Sequence, residues 1–345
     1  MDRSKPSLAE TARALMADDK GLLAIDESTE TCNKRFAAIG IPQTVEMHRA
    51  WRETILTAPG IARSISGMIL FDETIRQSTA AGVPFTKVMS DAGIIIGIKV
   101  DEGAKPLAGH SGETVTEGLD GLRDRLTAYA EMGARFAKWR AVISLDARRP
   151  SPAALAVNAH ALARYAALCQ DVGLVPIVEP EVLMDGDHSL ERSLEATQAI
   201  QEAVFHQLHL QGVVLEGMLL KPNMILSGLA SVRQASVDEV ADATLTCLRR
   251  CVPAAVPGIA FLSGGQSGPE ASARLNAMTL KGKQLRHGLP WDVSYSYGRA
   301  IQQPALDIWH GEAANVPAAQ VALVKRADMN RAARRGEYTA DMENQ

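Results

Sequence analysis

Five short apolar runs in this chain each end on an ionisable side chain, and that repetition constrains the fold more than any other feature. Lys221 closes the run Gly212 to Leu220 and is followed at once by Pro222. Leu22 to Asp26, Ile94 to Lys99, Arg135 to Arg140 through Lys138, and Val175 to Glu181 through Glu179 behave alike. A barrel of alternating parallel strands and helices builds its catalytic mouth in this way, from groups at the carboxyl ends of several strands. A lysine leaving a buried strand is desolvated or brought near other charge, which lowers its pKa towards a reactive free amine. Lys221 is therefore a candidate nucleophile.

Eight apolar runs recur with helical patterns between them, which is the alternation of a parallel sheet closed on itself. They are expected at Gly21 to Asp26, Ser66 to Phe71, Gly93 to Val100, Arg135 to Val142, Leu174 to Val182, Gly212 to Lys221, Gly258 to Ser263 and Trp291 to Tyr297. Asp120 to Met132, Ser151 to Val172, Ser193 to Leu208, Ser236 to Arg250 and Pro269 to Met278 carry apolar residues at three- and four-residue spacing and predict outer helices. The 345 residues exceed the roughly 250 of a typical barrel. The expectation is one α/β domain, a (β/α)8 TIM barrel with an N-terminal helical extension. Its core occupies about residues 21 to 310, with C-terminal helices and a short polar tail over 311 to 345. Glu337 to Gln345 are expected to be mobile.

The bulk chemistry narrows the function. Hydrophobic residues at 46% and charged residues at 22% fit a soluble globular enzyme with a large core. A formal charge of -4 gives no basic field for nucleic acid, so anion binding must come from a few focused cations. No stretch is long and apolar enough to cross a bilayer, and Met1 to Pro6 has no signal-peptide core. The cysteines, Cys32, Cys169, Cys247 and Cys251, form neither a Cys-x-x-Cys pair nor a framework, which suits a reducing cytoplasm. Cys247 and Cys251, one helical turn apart, read as two residues on a buried face. No metal or organic cofactor is expected. His206 and His209 lack the Glu of a zincin motif, no Gly-x-Gly-x-x-Gly follows a strand, and Ser28 and Ser263 have no histidine partner.

Residues two apart on a strand share a face, so Lys138 pairs in direction with Arg140 and Glu179 with Glu181. If both pairs face the mouth they surround Lys221, and two neighbouring lysines repel until one favours its neutral, nucleophilic form. Any one of these charges alone would suit a solvated barrel rim. Five strand ends together favour catalysis. Phosphate handling is the second theme. Ser263, Gly264 and Gly265 follow the seventh run and Gly298 and Arg299 the eighth, where barrels often bind phosphate. Ser28, Thr31, Lys99 and Arg140 provide for a second anion across the mouth. A substrate phosphorylated at both ends is implied.

The stretches Leu23 to Thr29, Gly97 to Asp101, Phe136 to Arg140, Pro176 to Glu181, Leu219 to Met224, Leu262 to Ser267 and Ser296 to Arg299 resemble, in order and separation, a class I (Schiff-base) fructose-bisphosphate aldolase. The resemblance runs from about Leu8 to Thr339. It implies that Lys221 forms an iminium at the C2 ketone, Glu179 shuttles protons, Asp26 takes the C4 hydroxyl proton, Lys138 polarises hydroxyls and Glu181 supports the network. It further implies the C1 phosphate at Ser263, Gly264, Gly298 and Arg299, the C6 phosphate at Ser28, Thr31, Lys99 and Arg140, and a homotetramer in glycolysis and gluconeogenesis. Two departures stand out: Glu30-Thr31 replaces the family's Gly-Ser, and Met218 replaces a threonine. Tyr338 matches an internal tyrosine of the family and not the terminal one that exchanges the enamine proton, so either another group or water takes that step or the step is slow. Sedoheptulose 1,7-bisphosphate, fructose 1-phosphate and a noncatalytic scaffold are the rival readings.

Overall fold

The computed structural model describes residues 6–344; the expectation for Met1 to Lys5 lies outside them. Eight parallel strands close into a barrel in chain order. They are β1 (Gly21–Ile25), β2 (Ile65–Leu70), β3 (Ile95–Lys99), β4 (Phe136–Ile143), β5 (Val175–Val182), β6 (Leu219–Leu220), β7 (Gly258–Phe261) and β8 (Asp292–Tyr297). The helices are α1 (Leu8–Leu15), α2 (Thr29–Ala37), α3 (Val45–Leu56), α4 (Asp72–Ile75), α5 (Phe85–Asp91), α6 (Leu122–Glu131), α7 (Pro152–Asp171), α8 (Leu190–Leu210), α9 (Val237–Cys251), α10 (Gly268–Gln284), α11 (Arg299–Trp309) and α12 (Val316–Arg335). An antiparallel hairpin, Ala104–Pro106 with Thr114–Thr116, is inserted between β3 and α6.

Helix starts follow local chemistry. Ser151, Ser189, Ser236 and Ser267 each accept a backbone N–H of the first turn, and Pro152 and Pro269 sit where their missing N–H costs nothing. The N-terminal end of the barrel is filled mainly by apolar side chains, with the buried Ser66 hydroxyl donating to the Leu15 carbonyl at 2.6 Å. Leu22, Ala24, Ile69, Phe136, Val175, Ile177, Leu219 and Ala260 meet Ala12, Leu15 and Met16 from the α1 segment, which stoppers the barrel from below. Space there is tight. A Cβ on Gly97 would stand 2.1 Å from the Phe136 ring, so only glycine fits beside it.

Two expectations need correction. The run Gly212 to Lys221 is not one long strand: only Leu219–Leu220 pair, after a 3-10 turn over Leu215–Gly217. Gly212 adopts φ +67, Val214 is exposed, and a Cβ on Gly217 would meet Leu8 of α1 at 2.8 Å, so the first half of the run serves α1 instead of the sheet. The C-terminal tail, as far as Asn344, is also packed. A 3-10 turn over Ala340–Asn344 is tied down by the Arg326 pair with Glu343, and Tyr338 is buried.

Candidate active site

The ionisable groups expected on β3, β4 and β5 are brought to the mouth by one geometric rule. On β4 and β5 the register places Arg140 beside Glu179 and Val142 beside Glu181, and on β3 and β4 it places Lys99 beside Lys138. The residues two positions earlier on the same faces, Phe136 and Ile177, point into the apolar plug. β4 and β5 therefore each turn from filling to chemistry along a single inward face. Lys221 follows β6 directly, its N–H donating to the Val178 carbonyl at 2.8 Å.

The centre is a buried charge network. Lys138 and Lys221 are 3% and 4% exposed and flank one carboxylate, Glu179: Lys138 Nζ lies 3.4 Å from Oε2 and Lys221 Nζ 3.2 Å from Oε1. Lys138 also reaches Asp26 at 2.7 Å and Asp101 at 3.9 Å. Burial by itself would lower the Lys138 pKa, but Asp26, Glu179 and Asp101 outweigh it and hold the ammonium above the usual lysine range. Lys138 is thus a fixed cation. For Asp26, burial pushes upward, and Lys138, Lys221 and Lys99 together draw the carboxyl down to about 2. Glu181 is buried and pairs with the Arg140 guanidinium, whose pKa burial would lower and Glu181 raises.

Around this centre lies a cavity of about 1240 Å³ whose walls include all fourteen residues expected from the sequence. Ser263 is buried. Gly264 and Gly265 adopt φ +54 and +86, a left-handed backbone open to glycine, and turn the chain from β7 into α10. Gly298 precedes α11 without a side-chain cap, and Arg299 is the helix's first residue and exposed. Across the mouth Ser28 caps α2, accepting the Thr31 N–H at 3.3 Å, with the two hydroxyl oxygens 3.1 Å apart. Lys99 already holds Asp101 at 2.8 Å. Glu30, the added carboxylate, is drawn away by Lys34 at 2.7 Å.

Asp101 is the group that reasoning from sequence left without a role. It binds Lys99, accepts the Arg140 backbone N–H at 3.2 Å and contributes to the field on Lys138. Its signal was present: Asp101 stands two residues beyond Lys99, the same spacing that linked Lys138 with Arg140. Ser296 also lines the cavity, its buried hydroxyl without a hydrogen-bond partner among the described residues. Tyr338 does not line the cavity; its hydroxyl donates to Glu343 at 2.7 Å.

Comparison with known proteins places this geometry. The family model described as fructose-bisphosphate aldolase class-I matches residues 7–345. The "probable fructose-bisphosphate aldolase class 1" of Xanthomonas campestris pv. campestris is 55% identical over 96% of this chain and 98% of its own length. The non-muscle fructose-bisphosphate aldolase of Lethenteron camtschaticum is 49% identical over 97% of this chain and 91% of its own. A solved structure of the Plasmodium falciparum aldolase, a ternary complex with TRAP and a small-molecule inhibitor, superposes with a TM-score of 0.94. It is 44% identical, covering 96% of this chain and 95% of that one.

Proposed function

Because the chain belongs to the class I fructose-bisphosphate aldolase family, we propose that its barrel mouth cleaves fructose 1,6-bisphosphate reversibly to dihydroxyacetone phosphate and glyceraldehyde 3-phosphate, with Lys221 as the Schiff-base lysine. One observation carries the assignment of roles: two buried lysines bracket the two oxygens of Glu179. A carboxylate between a nucleophilic amine and a fixed cation can take a proton from the first while the second compensates its charge.

The Lys221 amine adds to the C2 ketone, and Glu179 delivers a proton to the hydroxyl that leaves as water, giving the iminium. Asp26 then accepts the C4 hydroxyl proton while the C3–C4 electron pair flows into the iminium. The aldehyde product departs and an enamine remains. Protonation and hydrolysis of the enamine release dihydroxyacetone phosphate and restore the amine. A carboxyl held at about 2 is always ionised at neutral pH but is a weak base, so the electron sink at C2 has to draw this proton transfer forward. Lys138 keeps Asp26 ionised and polarises the substrate hydroxyls, and Glu181 orients Arg140. Ser263, Gly264, Gly265, Gly298 and Arg299 take the C1 phosphate, and Ser28, Thr31, Lys99 and Arg140 the C6 phosphate.

The same reading assigns the protein to glycolysis and gluconeogenesis, in the cytoplasm, as a homotetramer. Four free cysteines suit a reducing compartment, and light scattering of the purified chain tests the oligomer. Substrate choice is tested by kcat/KM for fructose 1,6-bisphosphate, sedoheptulose 1,7-bisphosphate and fructose 1-phosphate. The reading expects the first to be highest; a higher value for either other sugar would replace it.

A further inference from the structure

Cys247 and Cys251 take no part in the site above. They stand four residues apart in α9, with Cys251 its last helical residue, on the side that packs on α8. Cys247 Sγ lies 3.8 Å from Gln201 Oε1, and Cys251 Sγ 3.9 Å from the Gln198 carbonyl oxygen. Cys247 is buried and Cys251 half-buried, so the pair opens to solvent at the end of the helix.

Helix geometry decides what such a pair can bind. Side chains four apart hold their Cβ atoms about 5–6 Å apart, whereas a disulfide needs about 3.5–4.5 Å. The folded helix therefore keeps the two thiols from joining directly. One bridging atom makes up the difference, since two bonds to sulfur of about 2.3 Å, the length of a zinc–thiolate bond, span the longer gap. Among the described residues no group of three or more His, Cys, Asp or Glu side chains is placed to hold a metal ion, so tetrahedral zinc would lack its remaining ligands. What suits the pair is a thiophilic centre satisfied by two sulfurs.

We propose that Cys247 and Cys251 form a bidentate site for trivalent organoarsenicals. Each thiol condenses with one As–OH group, Cys251 first from the open end and then Cys247. Two As–S bonds form, two As–O bonds break, the two thiol protons leave with the hydroxyls as water, and arsenic stays trivalent. The neighbouring Cys247 thiol lowers the Cys251 pKa, which favours that order of attack. The bridge clips the last turn of α9 in place. Cys32 in α2 and Cys169 in α7 are each buried on separate elements and offer one sulfur only.

The test is phenylarsine oxide on the folded, full-length chain, followed by intact mass spectrometry and a thermal melt. One equivalent is expected to bind, survive excess monothiol, come off with a dithiol and raise Tm. Cys251→Ser is expected to weaken retention by on the order of 100-fold or more, because the second bond is then lost, and to abolish the Tm rise. Cys247→Ala repeats the loss from the buried end, and Cys32→Ser and Cys169→Ser leave retention intact. No monothiol-resistant adduct on the unmodified chain, equal retention by Cys251→Ser, or a fall in Tm on binding would each overturn the proposal.

Discussion

The lower and upper halves of the barrel are built from the same inward faces of the same strands, yet they share almost no chemistry. Below, Leu22, Phe136, Ile177 and Leu219 pack against α1 with no polar atom in their side chains. Above, and separated from those residues by one inward step or two, stand ionisable groups: Lys138, Glu179 and Lys221, all buried, and Asp26, half-buried. The difference teaches a division of labour. The lower half is stabilised by burial, of the order of 25 cal/mol per Å² of apolar surface, and that stability offsets the desolvation of ions above it. A buried ion pair is by itself weak evidence for stability. The upper half is therefore read as machinery carried by the lower half.

Lys221→Met is the most severe way to sharpen that contrast. Removing the proposed nucleophile is expected to lower kcat by on the order of 10^5-fold or more, while circular dichroism and Tm stay close to the parent, because Glu179 keeps Lys138 as its counter-ion. Gly97→Ala attacks the other half. Its new Cβ would collide with Phe136, and overpacking of this kind is expected to cost about 3 kcal/mol of stability, read as a lower denaturant midpoint. If it abolished activity in the still-folded protein, the two halves would not be separable as described.

How much of this was legible beforehand follows the same line. The upper half could be read almost residue by residue, because five apolar runs that all end on ionisable groups carry information that one would not. Lys99, Lys138, Glu179 and Lys221 all meet at one mouth. Asp101 escaped because it lies past the strand, where its two-residue spacing from Lys99 no longer guarantees a shared face. α2 escaped because its sequence, Thr29 to Ala37, is mostly polar and lies at the rim of the mouth. The short β6 escaped because an apolar run reads the same whether it pairs in a sheet or packs under α1, as Gly217 does. The packed tail escaped because Arg326 and Glu343, 17 residues apart, give no periodic signal.

Two smaller effects probe the boundary between the halves and the solvent. Arg299→Ala removes an exposed guanidinium at the start of α11. Losing the one charge-assisted contact to phosphate proposed for it, about 2 kcal/mol, is expected to raise KM roughly 30-fold with a lesser change in kcat, measured in steady-state cleavage. Asp26 gives the smallest signal, in acid stability. Its folded pKa of about 2 lies below an unfolded value near 3.9, so its contribution is fully present above about pH 4 and is lost as pH falls through 2. That is about 2.6 kcal/mol at most, visible only in acid. Asp26→Asn should flatten this part of the acid-unfolding curve, and an unchanged curve would mean that the lysines do not hold the carboxylate as described.

Borohydride reduction in the presence of dihydroxyacetone phosphate, followed by peptide mapping, reaches the centre of the account most directly. A single stable adduct on Lys221 is the predicted result, with Lys138 and Lys99 unmodified. An adduct on Lys138, or none on a protein that still cleaves the bisphosphate, would contradict it.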